Sequence, residues 1–300
     1  MNKPKSAKAK PPSHAFRVST DEIRLQYRRE RAAEIHDRLE RRLRLAPDLA
    51  RDAVVTVSRE DGYVILPAGQ LELDAVLAAS HGALASADVA GKQAEAHKAF
   101  LISLADQSAW TLESPILQLG LRREIVAAAA AYLGMVPILQ YANFMYSSHT
   151  GDELLKSQLY HCDSDEAEQI KVFVLCDEVT PATGPLTFIP ADRSQLVRDR
   201  TGYRYKTRLT DLDVSDSLGG LDSEVALTGP SGTTAFIDTS RCLHYGSRFQ
   251  DEGAQRLVLM LQYVTPLAFL YPDDHRSTAR FRHLNSASPD EVTALVLGAQ

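Results

Sequence analysis

The side chains best placed by spacing to hold a metal ion lie in His161-Cys162-Asp163. Successive side chains of an extended strand point to opposite faces, so residues i and i+2 share one face. In an extended backbone His161 and Asp163 would project together and Cys162 would point away. Alone the pattern is weak, because a chain with nine histidines yields such a triplet by accident. It gains weight from His244 in TAFIDTSRCLHYGSR, at the end of a predicted strand and the start of a polar turn. Two histidines and one carboxylate on one side of an ion form a facial triad. That arrangement suits non-haem Fe(II) and leaves positions open for a bidentate co-substrate and O2. A structural zinc site would instead be closed by four protein ligands, usually including cysteine. Cys162, Cys176 and Cys242 are not paired at such a spacing, and their plain reading is reduced thiols.

Arg256 opens the apolar run RLVLMLQYV, about a dozen residues after His244. Two strands joined by the polar turn YGSRFQDEGAQ are predicted to fold back as a hairpin, which would bring Arg256 inward near His244. A buried arginine needs an anionic partner. Its planar fork suits a carboxylate, and the far end of an iron-bound dicarboxylate would supply one. Plainer readings stay open: His161 and Asp163 as a surface pair beside the acidic SDEAEQ, His244 as a satisfied core histidine, and Arg256 as a structural ion pair with Asp238 or Asp251.

Softer candidates surround these residues. Lys171 and Gln158 could touch the dicarboxylate or could be ordinary strand-edge polar residues. Asn143, Tyr146 and Ser148 could line a pocket or lie on an exposed strand face. His149 is a decoy, since its spacing to Asp152 does not suit a shared strand face. His275 and His283 belong to the basic tract DDHRSTARFRH, read as solvated charge or as a lid over an anionic substrate.

Positioning these residues falls to a β-rich second half. From about residue 135, segments such as VPILQYANFMYSS, QIKVFVLCDEV, PLTFIP, GTTAFIDT and RLVLMLQYV are short and rich in β-branched and aromatic residues. They are separated by Gly, Pro, Asp and Ser. This reads as an all-β stretch, a sandwich or barrel for which a jelly roll is an economical solution. Before it, residues 1–17 are Lys, Pro and Ala rich and read as a disordered basic tail. Ser19 and Glu22 form a capping-box pattern, predicted to open one long helix whose arginines are solvated and which Pro47 ends. VVTVSREDGYVIL reads as strand, turn and strand around Asp61-Gly62, and a helix from about Leu121 to Leu133 stops at Gly134. The expected organisation is one catalytic domain over 18–300. It comprises a helical part at about 18–134, a jelly-roll core at about 135–268 and an extension over 269–300.

The run QLYHCDSDEAEQIKVFVLCDEVTPATGPLTFIPADRS, then GTTAFIDTSRCLHYG and Arg256, resembles the phytanoyl-CoA dioxygenase family. The resemblance covers roughly residues 135–265, with REDGYVILPAG as weaker support. It implies a double-stranded β-helix of jelly-roll type and dependence on Fe(II), 2-oxoglutarate and O2. It also implies oxidation of a small molecule at a C–H bond with release of succinate and CO2. Two departures stand out: Thr183-Gly184 where the family often has Asn-Gly, and Ala191-Asp192-Arg193 where it often has Gly-Ser-His. Both sit where a turn is expected. Related halogenases have a small residue in place of the carboxylate, so Asp163 favours hydroxylation over halogenation.

Bulk properties narrow the partners. With 44% hydrophobic and 24% charged residues, the 300-residue chain has the composition of a globular protein. A net charge of -6 argues against a protein that neutralises many phosphates, so no nucleic-acid partner is expected. No apolar run is long enough for a membrane span, and the basic N-terminus lacks the apolar core of a secretory signal. The expectation is a cytoplasmic enzyme with a small-molecule substrate, with room for a homodimer. Two other functions compete with it: a catalytically silent jelly roll that binds a ligand or partner, and a different metal chemistry on a cupin-like barrel.

Overall fold

The computed structural model of the protein describes residues 19–151, 153–268 and 280–299. The tail over 1–17 and His275, with most of its basic tract, lie outside the described residues.

The N-terminal segment forms two helices, α1 (Asp21–Glu34) and α2 (His36–Leu49), where a single helix was expected. Thr20 is the N-cap and its side chain makes no capping bond, so the Ser19–Glu22 box does not form. Asp21 and Glu22 in the first turn still favour this end through the helix dipole. The break falls at Ile35, which packs with Leu39 against Met135 and Leu267. Pro47 lies within the last turn of α2 and does not end it; the helix forgoes the one bond that the proline nitrogen cannot donate.

Nor is the arginine-rich surface of this pair all solvated. Arg42 is buried, and its guanidinium donates to four backbone carbonyls: Val136 at 2.9 Å, Pro137 at 3.2 Å, Leu295 at 2.8 Å and Ala299 at 2.7 Å. Arg24, also buried, donates to the Glu166 carbonyl at 3.1 Å and stacks 3.7 Å above the Tyr205 ring. The two helices thus clamp the C-terminal segment and the loop that follows Asp163.

Of the strand–turn–strand expected over 54–66, only the second strand forms, as β1 (Tyr63–Leu66). The first half has no ladder partner among the described residues, and Val54 N donates instead to the Glu124 carbonyl. The turn at Asp61-Gly62 is real. Gly62 has φ +76°, and a Cβ there would sit 2.8 Å from Ala191 Cβ and 2.9 Å from Cys242 Sγ, so only glycine fits. Helices α3 (Asp74–Ser86) and α4 (Val89–Glu95) follow, then β2 (Leu101–Ser103), α5 (Pro115–Leu121) and α6 (Arg123–Leu133). Gly134, at φ +72°, caps α6 as the sequence predicts. Residues Ala127 to Ala130 on α6 are fully buried and form part of the main core, which lies behind the larger sheet.

That sheet has six antiparallel strands in the order β1-β7-β4-β9-β3-β2. Its centre is β3 (Ile138–Ser148), β4 (Ile170–Leu175) and β9 (Gln255–Val264), with β7 (Thr234–Ile237) beside β4. A smaller sheet, β6-β5-β8, is made of β5 (Thr187–Phe188), β6 (Val225–Ala226) and β8 (His244–Tyr245). Single bridges at Tyr160–Leu209, His161–His244 and Val179–Gly229 add to the pairing. The two sheets form the jelly roll.

Two expectations about this half need correction. The stretch 135–268 is not all β: α7 (Ala191–Thr201) and α8 (Asp211–Leu218) lie between β5 and β6. Moreover, β8 and β9 are not a hairpin pair. The first pairs with β5 in the small sheet and the second lies between β4 and β3 in the large one, because the polar turn carries the chain across the sandwich. The described C-terminal part ends in α9 (Glu291–Val296), whose Leu295 and Val296 join the main core.

Candidate metal centre

The backbone pairing of two short segments puts the metal-type ligands together. His161 N donates to the His244 carbonyl at 3.0 Å, and His244 N donates to the His161 carbonyl at 2.9 Å. Residues that exchange both bonds across an antiparallel pair stand directly opposite, so their side chains leave the same face. The imidazole centroids are 4.3 Å apart as a result. Asp163, two residues along from His161, shares that face, with its backbone N fixed by the Thr239 carbonyl at 2.8 Å. Its carboxylate lies 4.0 Å from His161 Nε2 and 3.8 Å from His244 Nε2. One ligand atom from each of the three residues lies within 4.8 Å of the others, close enough for a single ion. Cys162 points away, into a cluster with Tyr160, Tyr203 and Leu209. All three cysteines are free and buried.

Local hydrogen bonds set the ring orientation. Each histidine Nδ1 lies at hydrogen-bonding distance from the carbonyl two residues before it, 3.0 Å to Leu159 for His161 and 2.9 Å to Cys242 for His244. The carbonyl can only accept, so Nδ1 carries the proton and Nε2 presents a lone pair towards Asp163. Burial pushes both imidazole pKa values down, so the rings are neutral and bind without releasing a proton. For Asp163, burial alone would raise the pKa. The Lys171 ammonium, 2.7 Å from Oδ2, outweighs it and holds the carboxyl well below the usual range. Behind this carboxylate, Gln169 donates to Asp163 at 3.3 Å and to Thr239 Oγ1 at 2.7 Å.

The triad opens into a cavity of about 340 Å³ between the two sheets. Inward-facing strand positions line it: Lys171, Phe173 and Leu175 on β4, and Arg256, Val258, Met260 and Gln262 on β9. Arg256 is buried at one end. Its guanidinium donates to the Gly184 carbonyl, to Ser247 Oγ at 3.2 Å and to Ser147 Oγ at 3.3 Å. No carboxylate pairs with it among the described residues, and its buried Nε has no partner there. Both suggested structural partners are committed elsewhere. Asp238 accepts from Tyr132 at 2.8 Å and from Ser240 N at 3.0 Å, and Asp251 accepts from Gly253 N. Burial lowers the Arg256 pKa to about 10. The Ser157 hydroxyl, on the same cavity wall, is likewise buried without a partner. Ser247 holds φ +62°, a left-handed backbone costing about 1 kcal/mol or more for a non-glycine residue, and it does so at the guanidinium.

The remaining candidates separate. Lys171 lines the cavity but is bound to Asp163. Gln158 does not line it: its amide accepts from Leu155 N at 3.1 Å and donates to the Ser247 carbonyl at 2.7 Å, which makes it a brace for the Arg256 end. Asn143 spends its amide on the Ala105 backbone, Tyr146 reaches Gln255, and Ser148 accepts from Gln93, so none of the three enters the cavity. Met145 and Tyr141 do so instead, and Ser147 reaches Arg256. Their positions follow from strand alternation once the register with β9 is known, which pairs Ser147 with Arg256. His149 does not line the cavity, Asp152 lies outside the described residues, and His283 is exposed. The Thr183-Gly184 departure supplies the carbonyl that holds Arg256, and Ala191 packs against Gly62 at the start of α7.

No protein-family model matches the chain, and no curated protein sequence matches it. Among solved structures it is similar to the epimerase SnoN in complex with Fe3+, alpha ketoglutarate and nogalamycin RO. That likeness has a TM-score of 0.50 and 20% identity, over 74% of this chain and 84% of that one. It is also similar to EctD from S. alaskensis with 2-oxoglutarate and 5-hydroxyectoine, with a TM-score of 0.49 and 20% identity over 71% and 77% of the chains. A third is HygX from Streptomyces hygroscopicus with nickel and 2-oxoglutarate bound, with a TM-score of 0.49 and 15% identity over 69% and 84%. The likeness to SnoN establishes the jelly-roll fold. Among the described residues no helix is long and apolar enough to cross a membrane.

Proposed function

We propose that this protein is an Fe(II)- and 2-oxoglutarate-dependent oxygenase of the phytanoyl-CoA dioxygenase type, hydroxylating a small molecule at a C–H bond. The observation that carries this reading is a pair of features in one cavity: an open His161–Asp163–His244 face and a buried arginine with no acidic partner among the described residues. The donor set fits the metal. Two neutral imidazole Nε2 atoms and one ionised carboxylate make a facial triad, and the cavity side is left for other ligands. The far end fits the co-substrate. Arg256 Nε and Ser157 Oγ are orphaned donors where the outer carboxylate of a dicarboxylate would lie, and a bidentate guanidinium pair satisfies both partners. SnoN, similar in fold, is seen with Fe3+ and alpha ketoglutarate.

In this reading His161, Asp163 and His244 hold the iron and Arg256 orients 2-oxoglutarate. Iron(II) with 2-oxoglutarate and O2 supplies an oxidant that hydroxylates an unactivated C–H bond, with succinate and CO2 as co-products. The chain's own contribution is geometric and electrostatic. Carbonyls two residues upstream hold both imidazoles in the ligating tautomer. Lys171 keeps Asp163 ionised, and apolar walls such as Phe173, Leu186 and Val258 limit water around the reacting centre. The helices before the jelly roll and α9 after it belong to the same catalytic domain, because Arg42 and Arg24 tie them to it. No observation favours the silent binding module.

The test is conversion of 2-oxoglutarate to succinate under O2 by the iron-loaded protein. The expected result is turnover that disappears in His161→Ala and in Asp163→Ala. Equal turnover in both variants and the parent would remove the site from consideration.

A further inference from the structure

The walls of the cavity carry an unbalanced charge. Among the residues that line it, Lys98, Lys171 and Arg256 are cations, Asp163 is the one carboxylate, and both imidazoles are neutral. Asp165, outside that lining, acts on Lys171 and is not among the main influences on Lys98. A divalent ion and a dianionic co-substrate would cancel each other and leave that excess of two positive charges unchanged. Two of the cations have assigned tasks: Lys171 is bound to Asp163, and Arg256 is assigned to 2-oxoglutarate. Lys98 has none.

Lys98 lies just before β2, half-buried, and its ammonium makes no hydrogen bond or ion pair among the described residues. Burial is the largest influence on it and lowers its pKa. Asp163 is the main group that opposes this, while Arg208, Lys171 and Lys156 add repulsion. The neighbouring cations bring no acid with them. Lys156 reaches the His97 carbonyl, and Arg208 donates to the Thr207 carbonyl at 3.1 Å. Lys98 and Leu101 also line a shallow groove that continues past His97 and Ile102. The ammonium therefore stands where cavity and groove meet. Glu95, the acidic residue of that groove, forms no ion pair with it. Between this mouth and the triad the cavity wall is largely apolar, with Leu101, Met145, Phe173, Leu227 and Met260. A desolvated cation is costly unless it pairs with an opposite charge, and among the described residues Asp163 acts on Lys98 only at a distance, without an ion pair.

We propose that the substrate is an amphiphilic small molecule whose anionic group, a carboxylate or a phosphate monoester, pairs with Lys98 at the cavity mouth, its apolar part extending towards the His161–Asp163–His244 face. This rests on the iron and 2-oxoglutarate reading of the site, to which it adds the substrate's charge and polarity. The nearby Lys156 and Arg208 strengthen the field that draws the anion in.

The experiment titrates octanoate, octyl phosphate and the neutral octanamide into anaerobic protein loaded with Fe(II) and 2-oxoglutarate, with binding read by calorimetry. The expected result is that at least one anion binds about ten-fold or more tightly than the amide. That preference falls to within about two-fold in Lys98→Gln and returns in Lys98→Arg, because only the charge is required. Whichever anion leads distinguishes the carboxylate from the phosphate. Three results overturn the proposal: the amide binding as tightly as both anions, neither anion binding, or a preference that survives in Lys98→Gln. The visible absorption of the iron chelate, recorded before each titration, reports separately on the parent reading. If it is absent, the same titrations on metal-free protein still show whether Lys98 selects an anion.

Discussion

Two buried arginines, at opposite ends of the chain, show how differently one side chain can be used. Arg42 on α2 is almost fully committed: four carbonyls from two separate segments receive four of its five N–H donors, and they hold the end of the described chain against the helical layer. Arg256 on β9 is equally buried, but it has two serine hydroxyls and one carbonyl around it, an orphaned Nε and an open cavity in front. Burial lowers the pKa of both to about 10. The difference therefore lies in satisfaction, not in depth. A buried cation whose terminal N–H groups are all bound to backbone stabilises the fold, whereas one that faces a cavity with its Nε orphaned is set up for a ligand.

The contrast is broken most readily at Arg42. Arg42→Ala removes four hydrogen bonds to backbone carbonyls, three of them buried, and leaves a cavity under α2, and it is expected to lower stability by about 3–5 kcal/mol in urea unfolding. A loss under about 1 kcal/mol would mean that water replaces the guanidinium and that the clasp is not structural. Arg256→Met should behave in the opposite way. Its unfolding midpoint stays level or rises, because an uncompensated charge is removed. The rise in Tm that 2-oxoglutarate gives the metal-loaded parent should vanish, in line with an affinity loss of about 100-fold, or about 2.7 kcal/mol. If Arg256→Met unfolds as readily as Arg42→Ala, the two arginines are not different in kind.

A third buried charge sharpens the comparison through pH. Glu166 accepts from Thr265, and Arg28 lies near it, yet burial dominates and raises its pKa from 4.5 to about 7. A carboxyl whose folded pKa is raised binds more protons when folded than when unfolded. Its contribution is thus fully present below about pH 4.5 and is lost as pH rises through about 7. Unfolding free energy measured across that window should fall by on the order of 2 kcal/mol, with the slope flattened in Glu166→Gln. An unchanged slope in the variant would assign the pH dependence to other groups. The smallest effect is expected at Gln158, which braces Ser247 from behind. Gln158→Ala should cost about 1 kcal/mol in stability and leave 2-oxoglutarate binding within about two-fold. A large loss of binding would return Gln158 to the ligand-contacting set.

What was legible in the sequence follows from the range of the interactions involved. The shared face of His161 and Asp163 is a local consequence of strand alternation, and the inert direction of Cys162 comes with it. Gly134 as a helix stop is equally local. His244 and Arg256 could be chosen for residue type and context, but their geometry could not be foreseen. The expected hairpin is absent, and the two residues meet across the cavity from different sheets. The missed helix α8 did carry a signal, since Thr210 and Asp213 form a reciprocal capping box. By contrast, nothing local marks Arg24 and Arg42 as buried. On a stripe rich in Arg and Glu they look like their solvated neighbours, and only the packing of distant segments selects them. The same limit explains the pocket residues of β3. Choosing Tyr141 and Met145 over Tyr146 and Ser148 requires the register with β9, which a single residue of slip would invert.

The central claim is that the triad and Arg256 form one site that holds Fe(II) and 2-oxoglutarate together. Its most direct test is an anaerobic titration of the metal-free protein with Fe(II) and 2-oxoglutarate, followed by the visible absorption of the chelate. The account predicts a band in the parent, no band in His161→Ala, and about 100-fold more 2-oxoglutarate to reach the same band in Arg256→Met. A folded parent that gives no band with iron in excess, or an Arg256→Met titration that overlays the parent, would contradict it.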